Sequence, residues 1–241
     1  MKLAIMQPYF LPYLGYWQLI QSADVFILFD DVQFIRHGWI NRNRVLKPKS
    51  GWQYIMVPLQ KHSCRARIKE IQAHPDVDWK SKILRQLEHY KHDHKIRAPY
   101  FAEVMTLLSD LFSSLNTTRL VEINAHLIRG ISAYLNISTR LEISSDCGFD
   151  YDQVEGPGEW ALRMAQQMQA TQYINPINGR DLFSANKFRD LGIDLVFLKS
   201  TGCSYDQRRS FEPNLSIVDA LMFNGREGTK RWLHAFEMEG S

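Results

Sequence analysis

Two short apolar runs, Lys2–Met6 and Val25–Phe29, flank one amphipathic stretch, Pro12–Gln21, and this arrangement leaves few folds open to the chain. The first run closes at Gln7-Pro8, where proline removes a ladder donor, and the second stops at Asp30-Asp31. Between them, a proline near the first turn and the apolar side made by Leu14, Trp17, Leu19 and Ile20 predict a helix. Two continuous apolar strands joined by a helix predict a parallel pair with a right-handed crossover. A layered α/β sheet is the natural home of that unit.

The rest of the chain extends the pattern. "WQYIMV" (Trp52–Val57) has strand composition and follows a Lys-Pro-Lys-Ser-Gly turn. Asp78–Tyr90, Pro99–Leu115 and Thr118–Leu135 read as three helices, the last two with apolar residues at helical spacing. Alternation then resumes, with strands predicted at Arg140–Ile143, Gln172–Ile174 and Leu195–Leu198 and helices at Gly158–Met168 and Ala185–Leu191. Leu215–Phe223 and Thr229–Met238 read as two closing helices separated by an Asn-Gly turn. The expectation is one Rossmann-like α/β domain over residues 1–241, its sheet mostly parallel, with a helical insert or wall at about 78–135 forming one side of a crevice.

Composition sets the limits on partners. Hydrophobic residues are 45% and charged residues 23%, the balance of a globular protein. A formal net charge of +3 is too mild to imply nucleic acid, so no nucleic-acid partner is expected. Cys64, Cys147 and Cys203 stand singly, without metal or redox spacing, and the opening apolar run is too short for a signal peptide, which together predict a reducing, cytoplasmic setting. No stretch approaches the roughly 20 apolar residues of a membrane span, so any membrane role would be peripheral. Neither a cofactor nor an oligomeric state is legible.

A loop leaving the carboxyl end of a first parallel strand and entering a helix is where open α/β sheets place ligands, and the helix start favours an anion. Here that loop is "QPYFLPYLGY", giving Gln7, Pro8, Tyr9, Tyr13, Gly15 and Tyr16 as candidate phosphate-binding residues. It resembles the His-x-Gly-His loop of cytidylyltransferase-like nucleotidyl transferases, with Tyr13 and Tyr16 in the histidine positions and Gly15 retained. Tyrosine carries no positive charge, so other groups would have to neutralise phosphate. Helix packing is the alternative role for Tyr13, Tyr16 and Trp17.

Further candidates follow the strands. Asp30 and Asp31 would face the same crevice and could orient or deprotonate an acceptor, with capping as the alternative. "RHGWINRNRVLKPK" supplies Trp39, Asn41, Arg42, Asn43, Arg44 and Lys47, a set of cations, amides and a ring suited to a diphosphate and a sugar or base; a solvated basic loop is the alternative. Asn175 and Arg180 lie in the loop after the strand at Gln172, with turn chemistry as the alternative. His89, His92 and His94 read as a helix terminus rather than a metal site, because Lys91 and Lys95 would repel a cation. "STGCSYDQ" (Ser200–Gln207) follows the last strand and holds Cys203, with no nearby histidine to activate it.

Over nearly its full length the chain resembles the WbqC-like protein family of bacteria. The strings that carry this are "MQPYFLPYLGYWQLI", "DVFILFDDVQF", "WINRNRV", "YKHDHKIRAPYF", "TQYINPINGRDLF" and "LSIVDALMFNG", in that order. The resemblance implies an association with lipopolysaccharide O-antigen and other surface-polysaccharide biosynthesis. On it rests the expectation of a transferase acting on a nucleotide-activated sugar or another phosphorylated small molecule. The alternative is a non-catalytic nucleotide- or sugar-binding protein with a degenerate nucleotidyl-transferase-like site.

Overall fold

β1 (Lys2–Met6), α1 (Leu14–Ser22) and β2 (Val25–Leu28) form the expected unit, with Leu3 opposite Val25 in a parallel ladder. The structure is a computed structural model describing residues 1–93, 96–152 and 154–241. After β2 the chain leaves the sheet for an antiparallel hairpin, β3 (Arg42–Leu46) and β4 (Trp52–Met56). It then builds four helices, α2 (Trp79–Leu87), α3 (His89–His92), α4 (Phe101–Ser113) and α5 (Leu120–Tyr134). The Asp78 carboxylate caps α2 by accepting from the Ser81 N–H at 3.1 Å, which fixes where that helix begins.

The chain rejoins the sheet at β5 (Arg140–Ile143), parallel to β2, and continues through α6 (Pro157–Gln167), β6 (Gln172–Pro176), α7 (Ala185–Asp190) and β7 (Asp194–Ser200). α8 (Ile217–Trp232) and β8 (Phe236–Gly240) finish it. The sheet order is β5-β2-β1-β6-β7-β8, with β8 alone antiparallel. Numbered within this sheet in chain order, the strands run 3-2-1-4-5-6, the arrangement of a doubly wound Rossmann-like sheet. Strand order reverses between β1 and β6.

Two stretches depart from expectation. "RNRVL" forms β3, because Asn43 and Val45 turn inward while Arg42 and Arg44 stay outside. The expected second closing helix is instead split: α8 kinks at Gly225 (φ 63°, ψ −170°), and "FEMEG" becomes β8, paired with the edge of β7. Backbone pairing of β8 satisfies that edge, which a helix would leave unpaired.

Alternation along the strands divides the core into two layers. Leu3, Ile5, Val25, Ile27, Tyr173, Leu195 and Phe197 pack against α6 and α7. Ala4, Phe26, Leu28, Ile174 and Leu198 face α1, α4, α5, α8 and the buried face of the hairpin. Each fully buried Leu, Ile or Phe contributes roughly 1.5–3 kcal/mol, so the sheet is held rigidly from both sides.

Candidate functional site at the strand-order reversal

The loop from Gln7 to Tyr13 is tied down by its own carbonyls. Tyr16 OH donates to Gln7 O (3.0 Å), Asn124 Nδ2 to Pro8 O (2.7 Å), Asn43 Nδ2 to Phe10 O and Leu11 O (both 3.0 Å), Ser216 Oγ to Leu11 O (2.7 Å) and Trp17 Nε1 to Pro12 O (3.0 Å). Pro8, Phe10, Leu11 and Pro12 are buried, and Leu11 is held at φ 41°. Those bonds fix the carbonyls of the loop, and no residue from 7 to 12 lines either of the two cavities beside it, so the expected phosphate cradle does not open along that stretch. The accessible part begins at Tyr13 and Gly15, where α1 starts.

There a cavity of about 330 Å³ adjoins one of about 560 Å³. Tyr13, Gly15, Ser200 and Asn214 line both. The smaller is walled by Trp39, Asn43 and Arg44 from the hairpin side and by Pro176 to Asn178 after β6. The larger runs under the loop that follows β7, past Cys203, Tyr205 and Phe211. This crevice lies at the carboxyl ends of β6 and β7 and the start of α1, beside the point where strand order reverses, which is where doubly wound sheets bind ligands. No residue from 78–135 lines either cavity, so the expected helical wall is a correction: the hairpin and the loop after β7 make the walls, while α2, α4 and α5 pack into the core.

Arg44 is the cation of the crevice. Its guanidinium stacks against Trp39 (5.2 Å to the ring centroid) and Trp52 (5.1 Å), and Nη2 donates to Asn214 O (3.2 Å). Among the described residues its Nε–H is buried without an acceptor. A guanidinium near two indole rings keeps its charge and loses little freedom on meeting an oxyanion. Tyr13 faces the crevice as a neutral phenol, burial pushing its pKa up. An ideal Cβ on Gly15 would lie 2.7 Å from Tyr13 Cε2, so the glycine makes room for that ring.

Several candidates serve elsewhere. Tyr16 is buried against Phe26 and Tyr9, and Gln7, Pro8 and Tyr9 line neither cavity. Asn41 donates to Val57 O (3.0 Å). Arg42 stacks on Tyr54 (4.2 Å) and donates to His37 O (2.6 Å), and Lys47 stands exposed at the hairpin turn. Asn175 is tied to Tyr173 and Pro176, and Arg180 bridges to Glu239 (3.0 Å) on β8.

The expected catalytic role of Asp30 and Asp31 finds no support in their positions. Neither lines the crevice. Asp30 is fully buried and accepts from Ser144 Oγ (2.8 Å), Ser145 N (3.0 Å) and Ser145 Oγ (2.7 Å), capping the 3-10 turn after β5. Asp31 accepts from Lys69 Nζ and Tyr151 OH, both at 2.8 Å. Burial alone would raise its pKa, but these two partners outweigh burial and hold it below the usual carboxylate value. Both carboxylates are consumed in architecture.

His89 is half-buried, its pKa lowered by burial, and His92 lies 3.3 Å from Glu88; His94 lies outside the described residues. Among the described residues no group of three His, Cys, Asp or Glu is placed to hold a metal ion. Cys203 lines the larger cavity, with burial pushing its thiol pKa up and Gln18 Nε2 3.3 Å from the sulfur.

One carboxylate escaped the sequence reading. Asp219, fully buried in the first turn of α8, accepts from Tyr90 OH, Tyr205 OH (2.7 Å) and Gln207 Nε2 (2.9 Å), and burial raises its pKa to about 6. It anchors the loop that roofs the larger cavity. Its only sequence signal is a single acid inside the apolar run "SIVDALMF".

Residues 7–231 match the WbqC-like protein family. The chain belongs to that family. This WbqC-like protein is also similar to a Mycobacterium tuberculosis protein named "Uncharacterized protein Rv1507c", with 34% identity over 230 residues, covering 94% of this chain and 95% of that protein. No solved structure matched the chain. Among the described residues no helix is long and apolar enough to cross a membrane.

Proposed function

We propose that this WbqC-like protein binds a nucleotide-activated sugar, or another phosphate-bearing donor, in the crevice at the strand-order reversal and transfers part of it to a sugar bound for lipopolysaccharide or other surface polysaccharide. The observation that carries the reading is the position of Arg44, within about 5 Å of the Trp39 and Trp52 rings on the same cavity as the first turn of α1. A positioned guanidinium and the positive end of a helix make a site for phosphate oxygens. Asn178, Ser200 and the Tyr13 hydroxyl supply neutral hydrogen bonds suited to sugar hydroxyls. Among the described residues lining the crevice no carboxylate or imidazole stands beside Cys203 to activate it, which favours direct transfer between two bound substrates over a covalent enzyme intermediate.

A second reading, a non-catalytic binding protein, has its own observation. Among the described residues lining the two cavities there is no carboxylate and no imidazole to act as base. A thermal-shift screen of nucleotide sugars, acyl-CoA and ATP, followed by calorimetry and a product assay with the responding ligand, separates the two. Arg44→Ala should weaken the donor about ten- to hundredfold, the loss of one charge-assisted hydrogen bond of about 1.5–3 kcal/mol. Donor binding without turnover over a panel of sugar acceptors supports the binding protein. Unchanged donor affinity in Arg44→Ala overturns the assignment of the site.

A further inference from the structure

Between Val32 and Arg67 the chain holds eight Lys and Arg residues and no Asp or Glu, which leaves the remainder, with 21 cations against 26 carboxylates, net negative. None of these eight side chains makes an ion pair among the described residues. The mild overall charge thus hides a strong asymmetry. The hairpin buries Asn43, Val45 and Ile55 on one face and shows solvent Arg42, Arg44, Trp52, Tyr54 and Met56 on the other. On that face the rings and cations form one ladder, Trp39 to Arg44 to Trp52 to Tyr54 to Arg42, with each step between 4.2 and 5.2 Å. Arg42 and Met56 then line a shallow groove with Arg36 and Lys61.

Apolar groups stand out among the cations. Ile35 is 58% exposed, Met56 45% and Trp52 37%. Such groups are out of place on a purely ionic surface, but they suit the headgroup boundary of a bilayer, where Trp settles and basic residues meet anionic lipid.

We propose that the open face of the β3–β4 hairpin docks the protein on an anionic membrane surface. The alternative polyanion, a single-stranded nucleic acid, would use ring faces for stacking its bases, and here Arg44 and Arg42 lie over Trp39, Trp52 and Tyr54. The rings hold the cations in place, and Ile35 and Met56 offer a nucleic acid nothing. The negative remainder of the chain is repelled by the same surface, so docking sets one orientation. Trp39 and Arg44 belong to both the ladder and the crevice, which therefore opens beside the docked face, within reach of a lipid-borne acceptor. Docking itself does not depend on what the crevice binds.

The test is co-sedimentation of the full chain with vesicles of phosphatidylcholine alone or mixed with phosphatidylglycerol. Binding is expected only to the mixed vesicles and should be lost at high salt. Arg36, Lys49 and Lys61 are exposed, and none lines the crevice. Neutralising all three to Gln should lower partitioning roughly a hundredfold, from about fivefold per cation. Met56→Gln should weaken vesicle binding severalfold yet leave retention on a heparin column unchanged, with circular dichroism verifying the fold of each variant. Equal binding to pure phosphatidylcholine, or none to either vesicle, overturns the proposal. So does tighter binding to a single-stranded oligonucleotide that Met56→Gln does not alter. No arm of this experiment reads the crevice, so its failure leaves donor binding to be judged separately.

Discussion

Truncating Asn43 to alanine should damage the protein in proportion to the three bonds its buried amide makes. Nδ2 donates to Phe10 O and Leu11 O, and Oδ1 accepts from the Arg44 N–H (2.8 Å), with the residue 1% exposed. After truncation Leu11 O keeps Ser216 Oγ, but Phe10 O and the Arg44 N–H lose the partner that Asn43 gave them. One buried and one partly buried polar group left without their partner at about 1–3 kcal/mol each, with a small cavity beside them, amount to about 3–5 kcal/mol. Leu11, held at φ 41° partly by this amide, also gains a route back to ordinary backbone. Urea unfolding followed by circular dichroism reads the effect. With a slope of about 3 kcal/mol/M the midpoint should fall by about 1 M or more. Asn41→Ala, which breaks a single bond to Val57 O, is the control and should cost about 1 kcal/mol. If Asn43→Ala costs under about 1 kcal/mol and lowers ligand affinity instead, the loop is not held as described and Asn43 belongs to the binding surface.

Asp219 has a pKa raised to about 6 against an ordinary 3.8, so its contribution is complete below the ordinary value and is lost as pH rises through about 6. The stability of wild type relative to Asp219→Asn should therefore grow as pH falls from 7.5 to 4.5, by about 2 kcal/mol, and a flat difference over that window refutes the assignment. Asp31 runs the other way: its pKa is lowered, so its contribution is present above the ordinary value and lost as pH falls through the folded one. Lys69→Met should cost about 1–3 kcal/mol and move the acid-unfolding midpoint upward, an unmoved midpoint counting against the ion pair. Gly225→Ala meets both a positive φ and the Tyr100 ring 2.5 Å from an added Cβ, and should lower stability by about 3 kcal/mol or more in a thermal melt. Gly15→Ala pushes on Tyr13 and should weaken ligand binding while leaving the melting temperature nearly unchanged, since the displaced ring can swing into the crevice.

Local pattern made the framework readable. β1, α1 and β2, each with a distinct period and a clear stop at Pro8 or Asp30, fall within two residues of their predicted bounds, and so do α4, α5 and β5. β3 escaped because Arg42, Asn43 and Arg44 look like a solvated loop until Val45 and Ile55 are seen to share a buried face. β8 escaped because a five-residue segment takes its conformation from the β7 edge it joins. For the site, position after a strand pointed to Tyr13, Gly15, Trp39, Asn43 and Arg44, which the fold does bring together. Position was insufficient for Asp30 and Asp31, whose fate is set by Ser144, Ser145, Lys69 and Tyr151, partners from 38 to 120 residues away. Asp219 was invisible for the same reason, since Tyr90 lies 129 residues from it.

The register of β2 with β5 has a consequence for how the protein is made. Val25 pairs with Arg140 and Leu28 with Ile143, and everything from 29 to 139 is inserted between the two strands. At typical synthesis rates of 5–20 residues per second, β2 emerges roughly 5–20 s before its outer neighbour exists. During that interval the apolar strand "VFIL" offers an open hydrogen-bonding edge. A stalled or truncated chain ending in the helical middle would carry that edge permanently. Aggregation of nascent chains should therefore fall only after both β5 and β6, which covers the other edge of β1, have emerged from the ribosome.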